Sequence, residues 1–474
     1  MTEHTTPTPQ TDAYLDAAKR FADRMIAYGR DTYGPEHTRI FLNQLDAETL
    51  THRPWESKWI FNVWYRPGGA SWVANLQYDS GLVRLLYALS DIGAGPQYAE
   101  AADGHIEDYL DKASVTVNGI WALAWGEHGF YDIVKDEAMH GCHEYKMTSV
   151  PWDDFHRLRP EATANLAALC RQHITQFGDS GKFNRHWPAD EPFSMVSSLG
   201  YWIGGWAAMW HFTGESHYLD WIEQAIAYVR SHCGRTGLFG SPVDDPRNNT
   251  TMYAVPWGNY PAALLRAAWY LRDDPLAETC REHVHACQKA FLRHAGMTDD
   301  GSHAVTIDLD TGEDKGRARG WENLSIRTLA GMAVGYESSG DEYLREAADK
   351  VLTGLDIPGL HTASVPSAEV EAGHIAHVLT ALLNLHGRSG DRTYLDMASV
   401  LADYALRFYR HNDVIVLGGA DAGPPDENGI VDDPWISYSN RRGCDDLAYL
   451  LLKVHLAKQG VPNDKYYADP LTAH

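Results

Sequence analysis

The sequence predicts an all-α fold, a ring of helical hairpins forming an (α/α)6 or (α/α)7 toroid with long cleft-forming loops. Three observations lead there. Apolar residues recur at helical spacing in segment after segment, while strand-like runs such as DVIVLG at 413–418 are few and short. A punctuation pattern returns along the chain: GESHYL from Gly214, GDEYL from Gly340 and GDRTYL from Gly390, with GPQYAEAA from Gly95 as a looser copy. Each pairs a glycine suited to a left-handed helix end with an acid suited to the next helix start, then Tyr and Leu to begin an apolar face. Gly340 and Gly390 lie 50 residues apart, the length of one hairpin with its loops.

Taken in order, residues 1–10 are polar and rich in Thr and Pro and read as a disordered tail, leaving 11–474 as one catalytic domain. From Thr11, Tyr14, Ala18, Phe21, Met25 and Tyr28 mark a helix, with Thr11 or Asp12 as its N-cap. A polar loop through Pro54 carries Tyr33, His37, Arg39 and Asn43. Asn75–Ser90 reads as one helix, with Leu76, Leu82, Leu85, Leu86 and Leu89 on its apolar face, and Pro96–Ala113 as the next. Further helices are expected at 161–176, 194–213, 217–232, 258–273, 275–295, 320–338, 341–355, 369–387, 391–410 and 442–459.

A net charge of -24 disfavours nucleic acid and anionic membrane surfaces as partners. No run of 18 apolar residues suggests a membrane span, and no basic region followed by an apolar run suggests a signal peptide, so the cytoplasm is the expected compartment. Six scattered cysteines without CxxC spacing do not suggest a disulfide framework. The 16 Trp and 25 Tyr suit either a large helical core or a sugar-binding cleft, because both side chains join an apolar body to a polar tip.

Chemistry concentrates in residues 125–187, where His128, His140, His143, Glu144, Lys146, His156, His173, Arg185 and His186 stand among Trp125, Tyr131, Trp152 and Trp187. Such a cluster makes a poor apolar core, since each buried polar group needs a partner. His and Glu side chains are suitable ligands for Mn²⁺ or a similar divalent ion, and His128, His140, His143 and His186 compete for places. The run HGCHE lacks the second Cys/His pair of a compact zinc module. Arg185, in FNRHW, is either a carboxylate-paired structural residue or a fork directed at a uronate carboxylate. The long loops add Trp125, Trp257, Tyr260, Arg319, Trp321, Glu322, Tyr438 and Arg441 as expected substrate-binding residues.

The pieces WGEHGFYD, CHEYK, the RPEAT helix start and FNRH, with the earlier NLQYDSGLVRLLYALS, resemble polysaccharide lyase family 2, the pectate lyases, over roughly residues 14–230. That resemblance implies metal-assisted β-elimination on a uronic-acid-containing, pectate-like oligosaccharide. It implies Arg185 as the base and His128, Glu144 and His186 as ligands of a divalent metal, Mn²⁺ before Ca²⁺ or Zn²⁺. Lys146 and Tyr131 are then the groups expected to orient the carboxylate or to protonate the leaving oxygen. The rival reading is a glycoside hydrolase on the same toroid, using two carboxylates from Glu322, Glu144, Asp421 and Asp446. The third is a non-catalytic sugar-binding helical protein. An unsaturated product separates the first from the other two, and its loss with EDTA supports the metal.

Overall fold

The computed structural model describes residues 11–52, 73–126, 129–140, 143–144, 150–243, 250–252, 257–357, 370–417 and 437–462. The expected tail at 1–10, and the expected site residues His128 and Lys146, lie outside them. Fourteen α-helices dominate the described residues: α1 (Thr11–Tyr28), α2 (Ser80–Asp91), α3 (Pro96–Lys112), α4 (Trp152–Leu158), α5 (Pro160–Thr175), α6 (Val196–Thr213), α7 (His217–Ser231), α8 (Asn259–Tyr270), α9 (Leu276–His294), α10 (Asn323–Ser339), α11 (Glu342–Leu355), α12 (Ala372–Ser389), α13 (Arg392–Phe408) and α14 (Cys444–Lys458).

Their sequences sort them into two layers. In α12 every residue from Ala372 to Leu385 except His374 is buried, and in α14 every residue from Cys444 to Leu456. A helix enclosed on all sides must run through the interior. In α11 the buried residues are Leu344, Ala347, Ala348, Val351, Leu352 and Leu355, a single stripe at 3.6-residue spacing. Such a helix packs on one side only. The contacts agree: α6 packs on α8, α10 on α12, α12 on α14 and α14 on α2, while α3, α5, α7, α9, α11 and α13 lie against their even-numbered partners. Short α4 joins this wall through α6, and its Arg157 reaches Tyr87 Oη on α2 at 3.1 Å and Asp103 on α3 at 2.7 Å.

The seventh pair is made from opposite ends of the chain. α1 packs on α14 and buries Tyr14, Ala18, Phe21 and Met25, and Tyr14 Oη donates to Asp403 on α13 at 2.7 Å. Close by, strand Gln44–Asp46 pairs antiparallel with Ser437–Ser439. Among the described residues, the fold is therefore an α/α toroid of seven helix pairs, which agrees with the larger of the two expected rings. Among the described residues, no helix is long and apolar enough to cross a membrane.

The repeat works largely as the sequence suggests. Gly214, Gly340 and Gly390 end α6, α10 and α12 in left-handed conformation, with φ of 71°, 73° and 71°. Asp391 then caps α13, its side chain accepting from Thr393 N–H at 2.9 Å. Gly95 departs from the pattern: with φ 149° it precedes α3 as N-cap and does not end α2. The expected helix from Asn75 is also corrected. The Asn75 side chain captures the Gln77 N–H at 3.1 Å and caps a short 3-10 turn, so α2 starts only at Ser80. Asn75 Nδ2 meanwhile donates to the carbonyls of Gly126 and Gly129 at 2.7 and 3.0 Å. Helix α4 was not expected; Asp153 and Asp154 in its first turn, with Pro160 opening α5, are its local signals.

Candidate active site

The site is built on two short extended segments beside the C-terminal end of α5. His143–Glu144 pairs antiparallel with His186–Trp187, so that Glu144 stands directly opposite His186. Opposed residues of an antiparallel ladder carry their side chains on one face. The forty-two-residue separation in sequence thereby becomes a contact: Glu144 Oε1 lies 3.2 Å from His186 Nε2. Arg185 folds back onto the same oxygen, with Nε at 3.0 Å, and that Nε lies 3.3 Å from His186 Nε2. Glu144 is fully buried, whereas Arg185 and His186 keep 19% and 28% of their side-chain surface open, so the cluster faces outward from a buried anion. A buried carboxylate needs such partners, and removing one leaves an uncompensated charge.

Neighbouring groups hold this geometry. Gly126 sits so close that a Cβ there would meet Glu144 O at 2.2 Å, and its φ of 87° suits glycine. On the other segment, Asn184 N–H donates to His173 O at 3.1 Å and His173 Nδ1–H donates to Asn184 O at 2.8 Å. Asn184 Oδ1 takes the His186 N–H at 2.9 Å, and Gln176 Nε2 donates to His186 O at 3.2 Å. Since His173 spends its Nδ1 proton on Asn184, its Nε2 accepts from His143 Nδ1 at 2.8 Å. Burial lowers the His173 pKa to about 3, keeping the ring neutral and this tautomer chain fixed.

His173 titrates near 6.5 when unfolded and near 3 when folded. In that window the unfolded chain binds the extra proton, so this contribution is complete above pH 6.5 and is lost as pH falls toward 3. Between pH 7 and 5, His173→Gln is expected to lose less stability than wild type, by on the order of 2 kcal/mol. Urea unfolding at the two pH values measures this, and equal losses would remove His173 as the cause.

Glu144, Arg185 and His186 are the expected site residues that the structure brings together. Tyr131 does not join them. It is fully buried, and burial together with Asp136, Asp31 and Glu36 pushes its hydroxyl pKa up. The expected substrate-binding set is dispersed. Trp125 lies edge-on to Tyr109 and Phe155, Trp257 to Phe291, and Tyr260 bonds His283 Nε2 at 3.0 Å. Tyr438 is enclosed with its ring 5.7 Å from Phe21. These four are core residues in the structure, with no face open to a sugar. Trp321 is half-buried and donates to Leu355 O at 3.1 Å. Arg319 and Glu322 are exposed 4.0 Å apart, and Glu322 caps α10. The side chain of Arg441 lies outside the described residues.

The expected metal fares differently. Among the described residues, no three His, Cys, Asp or Glu side chains are grouped to hold an ion. Glu144 and His186 supply two ligands, but the Arg185 Nε stands beside both. These residues do not make a metal site by themselves. His173, Gln176, Asn184, Phe193 and Met195 complete the surroundings of the cluster. Of these, the sequence pointed only to His173, as a member of the polar cluster, and the one signal for the others was that Asn184 adjoins Arg185 in FNRH.

A family model described as periplasmic pectate lyase matches residues 46–198, the part of the chain that holds this cluster. No curated protein matches. Among solved structures, an unsaturated glucuronyl hydrolase specific for heparin is similar at 12% identity and a TM-score of 0.47, over 95% of this chain and 100% of the other. The alpha-1,6-mannanase of Salegentibacter sp. HEL1_6 is similar at 8% identity and 0.45, over 94% and 99%. A D-mannose isomerase is similar at 15% and 0.39, over 63% and 83%. The toroid and the pectate-lyase match together support an enzyme acting on carbohydrates.

Proposed function

We propose that the protein is a lyase that performs β-elimination on a uronate-containing, pectate-like oligosaccharide at the Glu144–Arg185–His186 cluster. The observation that carries this reading is the meeting of Arg185 and His186 on a single buried Glu144 oxygen, at 3.0 and 3.2 Å. In the reaction the C5–H bond breaks, C4=C5 forms, and the C4–O4 bond breaks with its electron pair leaving on oxygen, which takes up a proton. Negative charge builds on the uronate carboxylate as the proton leaves, so a preorganised cation is worth most at that moment. Arg185 supplies it. Its Nε is engaged by Glu144 and its Nη1 by Met195 Sδ at 2.8 Å, while no described residue takes Nη2. Glu144 orients both neighbours. Acting as the cation, Arg185 keeps its proton, so His186 beside it is the group placed to take the C5 proton, although the resemblance implies Arg185 as the base. The described residues do not hold a metal by themselves, and the third ligand that the resemblance implies is His128, with His140 and His143 as its neighbours in sequence.

A glycoside hydrolase is the second reading, and one observation favours it. Burial and the neighbouring Asp446 and Asp79 hold the Asp445 carboxyl well above the usual range, as a general acid requires. All three aspartates are fully enclosed, however. Incubation with oligogalacturonate separates the readings. Lyase action makes ultraviolet absorbance from the unsaturated uronate rise together with new reducing ends. Reducing ends without absorbance assign a hydrolase, and binding without either assigns a sugar-binding protein.

A further inference from the structure

Phe193 is an aromatic residue that the fold leaves open at the reacting cluster. Its side chain is 43% exposed, one of five large hydrophobic residues so exposed among those described. Of the other two aromatics, Trp269 lies under Arg272 and against Tyr270, and Tyr28 lies under Arg24 at the end of α1. The Phe193 ring likewise lies under an arginine, but that arginine is Arg185 of the reacting cluster, with its guanidinium carbon 6.0 Å from the ring centroid.

The ring is held by the strand that holds the arginine. Phe193 N–H donates to Phe183 O at 2.9 Å, and Met195 N–H donates to Phe193 O at 2.8 Å. Asn184 and Phe193 form a parallel bridge, one residue from Arg185. Met195 then turns its sulfur to Arg185 Nη1. A cation and a partly open apolar ring are thus fixed against each other. A hexuronate presents the matching pair, a carboxylate at one edge of the ring and a face of C–H bonds.

We infer that Phe193 is the stacking platform for the uronate ring whose carboxylate Arg185 binds. The inference rests on the lyase reading and adds to it a substrate class: uronates with a free carboxylate and one unsubstituted C–H face. The ring contributes to holding the sugar and takes no part in proton transfer, so its removal acts on KM. With trigalacturonate as the probe, Phe193→Ala is expected to raise KM about tenfold and to leave kcat within about twofold. Phe193→Tyr, which keeps the ring, is expected to restore KM to within about twofold. An unchanged KM in Phe193→Ala overturns the platform while leaving the lyase reading intact, and so does a fall in kcat alone. If wild type forms no unsaturated product, the lyase reading fails, and calorimetric titration with trigalacturonate decides the platform separately. Weaker binding by Phe193→Ala than by wild type supports it; equal binding, or none by wild type, overturns it.

Discussion

Replacing Arg185 with alanine is expected to lower kcat/KM on oligogalacturonate by at least 10²–10³-fold, the loss typical when one preorganised electrostatic group is removed from a reacting centre. The reason is local. Arg185 is the partly open cation on Glu144, and its unclaimed Nη2 is the donor available to an incoming carboxylate among the described residues. Arg185→Lys is expected to recover little, because an ammonium cannot hold Glu144 through one nitrogen and a uronate through another. Glu144→Gln should cost activity as well, since it removes the anion that aligns Arg185 and His186 while preserving shape. Initial rates of product absorbance measure all three variants. An Arg185→Ala enzyme with unchanged activity would exclude Arg185 as base and as carboxylate clamp together.

The second large effect concerns closure of the ring. Phe21→Ala is expected to destabilise the protein by about 3–5 kcal/mol, the usual cost of emptying a fully buried aromatic site. Phe21 sits on α1 where that helix meets α14, with Tyr438 5.7 Å away across the seam joining the two ends of the chain. Tyr28, on the same helix but 45% exposed, provides the comparison. Tyr28→Ala should remain within about 0.5 kcal/mol of wild type. The urea midpoint reads the difference. Equal shifts for the two variants would mean that α1 does not close the toroid.

The helices were legible because their signals are local. The apolar stripe of α11, the long apolar runs of α12 and α14, and the glycines ending α6, α10 and α12 depend on residues within a few positions of one another. Asn75 shows where local reading ends. Its side chain stops a helix that periodicity alone would begin there, and its amide is engaged by carbonyls more than fifty residues away.

The candidate site divides in the same way. Residue types marked the stretch that holds Glu144, Arg185 and His186, because carboxylates, guanidinium groups and imidazoles near tryptophans are costly unless they are used or paired, and the resemblance singled out these three within it. That they meet was decided by the ladder register, in which a one-residue slip would send Glu144 and His186 to opposite faces. The sequence could not sort the aromatics. Trp125, Trp257, Tyr260 and Tyr438 have the same chemistry whether they fill a core or line a cleft, and tertiary packing placed all four inside. The same packing left Phe193 open beside Arg185. By itself, then, the sequence determined that the chain forms paired helices and which stretch concentrates polar chemistry, since both follow from short-range pattern and residue type. Only the tertiary structure decided that the ring has seven pairs, that its ends close on each other, and which side chains face solvent, because these depend on contacts between residues hundreds of positions apart.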